Sequence, residues 1–447
     1  MKQNSGYLRL KEAFSSVKSA DLFFILLLGA AFRLFYYSNL LDSIVIDSPT
    51  YLNHSSNLLK GQVDVWRTPL YPYFLKLIKQ FVNQKSFIHS IVIIQSLISF
   101  LTIITFYKVV NKIFENRYAI ITSTLFYAIS PSLVNFDKCV LTESLSISFI
   151  VIFISLIFRF IKNPTKLKAL LNSLLIVVAI MLRPSFIVLI PIMSFFWVLR
   201  LFFIRSERSV SLMGLSGTFI AIILLTGYSK LNDKRNGFNG LTAVSSYNQI
   251  DLLIAYNIFE NGNDDEMSKT IRANLVDTSK EVFHLKVQHA LFSTYPPNRI
   301  KKFIRNSIIN HLSIFVQKSI VRIYLLENEK ISTIYAERKN GYMGVFNFIL
   351  RANFITFLVV YLLLIIELIY IVFQWYMEKR IVWFRIVLWT IIITQLALVI
   401  LGAQAEFQRL FVIALPCLII VFFFYVDMLL YSIVPQKFSE YRSLNKY

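Results

Sequence analysis

The stretch 118-YAIITSTLFYAISPSLVNFDKCVLTESLSISFIVIFISLIFRF-160 is apolar for roughly 40 residues, about twice what one bilayer crossing needs. Both flanks are basic, with Arg117 before it and Arg159, Lys162, Lys166 and Lys168 at or beyond its end. Cytoplasmic loops collect Lys and Arg, so both ends belong on one side and the chain goes out and returns. The turn is expected between Pro131 and Glu143. The run from Ala169 to Leu199 repeats this arrangement. It is too long for one span, is interrupted at Arg183-Pro184, and is basic at both ends through Lys168 and Arg200, Arg205 and Arg208.

Working outward gives a polytopic, all-α membrane protein. The chain has 447 residues, 56% of them hydrophobic, with a mean hydropathy of +0.61. The first span is expected at 21–41, behind a basic flank of Lys2, Arg9, Lys11 and Lys18 that resembles a retained signal anchor. Others follow at about 89–110, 211–228, 354–376, up to 401, and 410–431. With the two hairpins this makes about ten spans, with both termini cytoplasmic. The segments divide into an N-terminal module 1–229 with a first external loop at 42–87, a mainly helical extracytoplasmic domain 230–345, and a C-terminal module 346–447. Within the external domain, 303–326 is amphipathic and expected along the membrane surface. The net charge of +21 follows from basic loops and calls for no nucleic acid. Cys139 and Cys417 sit in apolar surroundings at no metal or disulfide spacing, and the histidines show no metal-ligand spacing either.

The first loop contains 46-IDSPTYLNHSSNLLKGQVDVWRTPLYP-72. Ser48-Pro49 and Thr68-Pro69 each place a capping hydroxyl before a proline, the usual start of a helix. These predict external juxtamembrane helices from Pro49 to Lys60, stopped by Gly61, and from Pro69 to Phe81. Asp47 and Arg67 stand just before the two helix starts. The topology gathers Asp47, Arg67, Asp137, Lys138, Glu143, Arg183, Glu406 and Arg409 at one membrane edge. Ionisable groups there are costly unless paired or hydrated, so several together suggest a polar cavity. Acids suit activation of an acceptor hydroxyl or amine, and arginines suit a phosphate leaving group. Plainer readings exist for each: a Lys138–Glu143 salt bridge, Arg183 capping a broken helix, Arg409 snorkelling, Arg33 packing within the first span, and Tyr51 and Tyr71 as interface aromatics.

The acid, the tyrosine four residues on, and 67-RTPLYP-72 resemble the first external loop of the GT-C membrane glycosyltransferases, nearest the protein O-mannosyltransferase and aminoarabinose-transferase-like family. Leu141–Leu145, Leu182–Pro184 and 407-FQRL-410 through Pro416 resemble later elements of that pattern. The resemblance implies that Asp47 is the base acting on the acceptor and Glu143 a second catalytic acid. It makes Arg67, Arg183 and Arg409 the donor-phosphate ligands. Tyr51, Tyr71, Lys138 and Glu406 would line the substrate cavity. Family members often carry a second acid after the first, where this chain has Ser48. A divalent metal is therefore left open and no other cofactor is expected.

The expected reaction is inverting transfer of one hexose or pentose from a polyprenyl-phosphate donor to a glycolipid, an envelope glycan or a protein. The expected site is the outer face of a bacterial inner membrane, with membrane lipids as further partners. A multispan polysaccharide polymerase or ligase, and a lipid-linked glycan flippase or transporter, are the competing readings. Transporters commonly show paired repeats and broken helices meeting at the midplane, and the sequence shows neither.

Overall fold

Apolar length and basic flanks set the architecture of the computed structural model, which describes residues 4–260, 264–275, 284–329, 331, 356–378, 382–402 and 407–432. The N-terminal half contains α1 (Asn4–Asn39), α2 (Ser48–Leu52), α3 (Leu70–Phe81), α4 (Phe87–Ile113), α5 (Arg117–Ile129), α6 (Pro131–Val134), α7 (Glu143–Lys162), α8 (Lys166–Leu182), α9 (Leu189–Phe203) and α10 (Arg208–Asn236). The block that follows α10, expected to be external, holds α11 (Val244–Tyr256), α12 (Asp265–Asn274), α13 (Leu285–Thr294), α14 (Pro297–Asn310) and α15 (Leu312–Leu326). The C-terminal part adds α16 (Phe357–Glu378), α17 (Trp383–Gly402), α18 (Phe407–Phe411) and α19 (Leu415–Ser432). No strand occurs among the described residues, only two isolated bridges.

Each of the ten expected apolar segments is helical. Among the described residues, eight helices are long and apolar enough to cross a membrane, and nine if the bent pair Arg117–Ile129 and Pro131–Lys138 counts as one span. Helix α8, with 17 residues, is about 25 Å long at 1.5 Å per residue, just under a full hydrocarbon thickness. Both hairpins turn where the sequence placed them. The first turn is no surface loop, however, because 131–144 is buried throughout.

The small residues of α10 allow close packing of the second hairpin. Trp197 Nε1 of α9 donates to Ser173 Oγ of α8 at 2.9 Å, and Ser173 Oγ donates to the Gly214 carbonyl at 2.8 Å. The indole thus lies where a Gly214 side chain would project. A separate apolar core, including Leu253, Met267, Val287, Leu291 and Phe303, holds the external block together.

The first loop departs from its expected form. Only Ser48–Leu52 is α-helical, and a 3-10 turn at Leu58–Lys60 ends on Gly61 at φ 64°. The polar run Asn53–Asn57 breaks the helix between them, since such side chains offer the backbone local alternatives. Asn57 does so by accepting from the Lys60 N–H and bridging to Gln62. Neither expected hydroxyl caps: Asp47 and Pro69 occupy the N-cap positions, and neither makes a side-chain bond to the helix amides. Ser48 Oγ instead donates to the Val140 carbonyl at 2.9 Å. Helix α3 does show its apolar face, burying Tyr71, Leu75 and Ile78 while Lys76 and Lys79 stay exposed. The amphipathic stretch 303–326 is interrupted at His311, and buried Arg322 of α15 donates to the Ile400 carbonyl at 3.2 Å.

Two outcomes follow. A Cβ at Gly214 would stand 2.4 Å from the Trp197 ring, whereas one at Gly227 meets nothing within 4 Å. Gly214→Ala should therefore cost about 1–3 kcal/mol by overpacking and lower the thermal midpoint in detergent, while Gly227→Ala should not. In the external block, wholly buried Asp251 accepts from the His284 N–H at 3.0 Å and from Gln288 Nε2 at 2.7 Å. Burial outweighs both bonds and pushes its carboxyl up to about 7. The folded state thus keeps a proton that the unfolded chain releases, so this group's contribution to stability falls from about pH 4 to pH 7. Hydrogen exchange in α11 and α13 should accelerate over that range beyond the intrinsic rise, and Asp251→Asn should remove the excess.

Candidate active site

The backbone of the first loop is stitched to the buried turn. Ser43 N donates to the Lys138 carbonyl at 2.8 Å and Val140 N to the Ser43 carbonyl at 3.1 Å. These bonds, with that of Ser48 to Val140, bring Asp47 to the end of α7. Arginines from three other places in the chain converge on that point.

Arg67 Nη2 donates to Asp47 Oδ1 at 2.8 Å, and Arg409 Nη2 donates to Asp47 Oδ2 at 2.7 Å. Arg409 Nε donates to Glu143 Oε1 at 2.5 Å, and Arg183 Nη1 pairs with the same oxygen at 2.8 Å. The result is a continuous chain, Arg67–Asp47–Arg409–Glu143–Arg183. Thr50 Oγ1 receives Arg67 Nε at 2.7 Å and Tyr51 Oη receives Arg67 Nη1 at 2.9 Å, with the guanidinium 4.3 Å from the Tyr51 ring centroid. Arg183 donates to Thr142 Oγ1 and Ser185 Oγ, both at 3.2 Å.

The two acids are not equivalent. The Asp47 side chain is 28% exposed, whereas that of Glu143 is 0% exposed. Only Asp47 is open to a molecule arriving from outside. Glu143, expected as a second acid at the cavity, is enclosed between two guanidiniums and ties both to one oxygen. Burial raises the Asp47 carboxyl, but Arg67 and Arg409 outweigh it and hold the group below the usual carboxylate range. With three arginines and two carboxylates the cluster carries a net charge of +1.

Two expected cavity residues give their polar ends to other partners. Lys138 is 5% exposed and pairs with Asp42, its ammonium 3.8 Å from the Tyr37 ring centroid, while His89 Nδ1 bonds Asp42 Oδ2 at 2.7 Å. It forms no salt bridge with Glu143, because the turn directs the two side chains to different partners. Tyr71 is wholly buried and donates to Gln95 Oε1 at 2.7 Å, fastening α3 to α4. Glu406 lies outside the described residues. Arg33 packs as expected, with Nη1 on the Ala128 carbonyl and Nη2 on Ser99 Oγ, both at 2.9 Å, and Asp137 at 3.7 Å.

The sequence reading passed over Thr50, Thr142 and Asp64. Asp64 Oδ1 accepts from the Trp66 N–H at 2.7 Å and the Arg67 N–H at 3.2 Å, so it sets the turn that delivers Arg67. An aspartate two or three residues before the positioned backbone is the signature of such an Asx turn. Asp47 and Glu143 both face guanidiniums, and no three His, Cys, Asp or Glu side chains converge among the described residues. The described residues do not make a divalent-cation site.

Comparison with known families bears on this geometry. Residues 66–227 match the family described as dolichyl-phosphate-mannose-protein mannosyltransferase. Over that stretch the resemblance read from the sequence is borne out. The matched region contains Arg67, Glu143 and Arg183, whereas Asp47 and Arg409 fall outside it. No curated protein matches the chain. Among solved structures, the apo oligosaccharyltransferase of Archaeoglobus fulgidus aligns with 12% identity and a TM-score of 0.48 over 96% of this chain and 51% of that one. The archaeal oligosaccharyltransferase from the same organism, in complex with an inhibitory peptide and a dolichol-phosphate, aligns with 11% identity, the same TM-score and the same coverage. The chain spans about half the length of each.

Removing the charge on Glu143 leaves two buried guanidiniums without their shared acid. Glu143→Gln should destabilise the protein by about 3–5 kcal/mol, the usual cost of breaking a buried ion pair from one side. Adding Arg183→Met should restore more than half of that loss, because the excess charge is removed with it. Thermal unfolding of the two single variants and the double variant measures the coupling.

Proposed function

We propose that this chain is a membrane glycosyltransferase that moves one sugar from a polyprenyl-phosphate donor to an acceptor on the extracytoplasmic face, in a bacterial inner membrane. The observation that carries the reading is Asp47, the one exposed acid of the cluster, held directly between Arg67 and Arg409. A phosphodiester brings one negative charge, which balances the net +1 of the five groups. Similarity to the mannosyltransferase family supports a lipid-linked sugar donor.

While both arginines grip it, Asp47 is a weak base. A phosphate that draws their donors toward itself relieves that grip, so donor binding and activation of the acid become one event. Arg fits this task because its planar fork, which meets Asp47 through one nitrogen here, can engage a phosphate through two. Arg183 keeps a further donor, Nη2, without a hydrogen-bond partner among the described residues.

In the transfer step the acceptor oxygen forms a bond to the anomeric carbon as the bond from that carbon to the phosphate oxygen breaks. The electron pair leaves on the polyprenyl phosphate, whose growing charge meets Arg67 and Arg409. The acceptor proton passes to Asp47. Attack from the face opposite the phosphate inverts the anomeric centre. Glu143 takes no proton in this scheme; its burial lets it hold Arg183 and Arg409 in place.

Purified protein offered a panel of polyprenyl-phosphate sugars and native envelope acceptors should transfer label from one of them. Asp47→Asn should lower the rate by about 10²–10⁴-fold, the range for loss of a general base, with folding checked in parallel. Unchanged transfer would remove Asp47 from the mechanism. No transfer, with lipid movement in proteoliposomes instead, would overturn the reading in favour of a flippase.

A further inference from the structure

Trp66 stands one residue before Arg67, yet its indole joins the external block. It meets the Tyr247 ring of α11 edge-on, with centroids 5.1 Å apart, and lies 5.3 Å from the Phe292 ring of α13. Tyr247 and Phe292 stack on each other at 4.5 Å with planes 25° apart. Three rings from three separate elements therefore form one aromatic corner. None of them is fully buried.

The polar ends of this corner are open. The Trp66 Nε1–H and the Tyr247 hydroxyl find no hydrogen-bond partner among the described residues, and neither atom is enclosed. Each ring is partly exposed, so two donors without a protein partner stand beside aromatic surface that a ligand can reach. The corner is also held in place before any ligand arrives. Ala243 N donates to the Val65 carbonyl at 2.7 Å and Asn236 Nδ2 to the Val63 carbonyl at 3.0 Å. Asp64 fixes the Trp66 amide at 2.7 Å, and Gln288 Nε2 holds the Tyr247 carbonyl at 3.3 Å. A pre-ordered surface loses little entropy on binding.

We propose that Trp66, Tyr247 and Phe292 form a subsite for a carbohydrate ring of the acceptor, which makes the acceptor a glycan or glycolipid. A sugar presents an apolar C–H face to an aromatic ring and hydroxyl groups at its rim, and this corner offers both complements. A polyprenyl tail has no use for the two donors. The place is apt for an acceptor, since successive Cα atoms lie only about 3.8 Å apart and the next side chain is the one that grips Asp47. The term acceptor rests on the glycosyl-transfer reading, but ring binding does not.

The test is saturation-transfer NMR of the full-length protein in detergent with short neutral oligosaccharides of glucose, mannose, galactose and N-acetylglucosamine. At least one should bind, and should bind equally to Asp47→Asn, so the result stands whether or not transfer is ever observed. Trp66→Leu should weaken binding about tenfold, the upper range for one aromatic contact. Trp66→Phe should lose less, and Tyr247→Phe, which removes only a hydroxyl, guards against misfolding as the cause. Excess polyprenyl-phosphate sugar should leave the oligosaccharide bound. Absence of binding by every oligosaccharide, or binding indifferent to Trp66→Leu and Tyr247→Phe, overturns the proposal. Displacement by the lipid donor overturns it too, assigning the corner to the donor's sugar, as does preferential binding of unglycosylated Ser/Thr peptides.

Discussion

A carboxylate with no exposed surface at the edge of a membrane bundle must be matched by cations, and Glu143 meets that demand with two. The cost of leaving such a charge unpaired exceeds what most local packing choices contribute. The end of α8, the start of α18 and the first turn of α7 are therefore drawn to one point. Once Arg409 is fixed there by Glu143, its second arm reaches Asp47, and Asp47 in turn orders Arg67. The exposed acid inherits its position from the buried one.

The same demand explains the form of the turn between α5 and α7. An ordinary loop at a membrane edge would face water and satisfy its backbone there. This one is covered by the first loop, so its peptide groups bond to Ser43 and Ser48 instead. Deeper in the bundle, Ser144 Oγ donates to Asp137 Oδ1 at 2.5 Å, and Arg33 stands across from that acid. The charged residues of one short segment thus look toward different neighbours. Lys138 faces Asp42, Asp137 faces Arg33, and Glu143 faces the arginine pair.

That division separates what was legible in the sequence from what was not. The hairpins were readable because crossing length and basic flanks are properties of a continuous stretch. The arginines were readable as a group, since topology alone brings Arg67, Arg183 and Arg409 to one edge. The partners of Lys138 and Tyr71 were not readable: pairing at that edge is decided by rotations of a few residues within a turn, and no periodicity records them. The break at Asn53–Asn57 was visible as a polar run, but the proline and glycine signals around it argued for one continuous helix. The aromatic corner draws on α11, α13 and the first loop, and nothing in any one of these stretches announces the other two.

The bond between Asp47 and Arg409 joins residues 362 positions apart. Contacts of such long range form late, because much chain must be ordered before they close. During synthesis the N-terminal helices can bring Glu143 and Arg183 together, but Asp47 lacks one of its two partners until α17 and α18 have been made and inserted. Completion of the charge chain therefore waits for the C-terminal helices. A nascent or truncated chain carries the acid without the lock, and the cluster reaches its full charge only once the helix bearing Arg409 is in place.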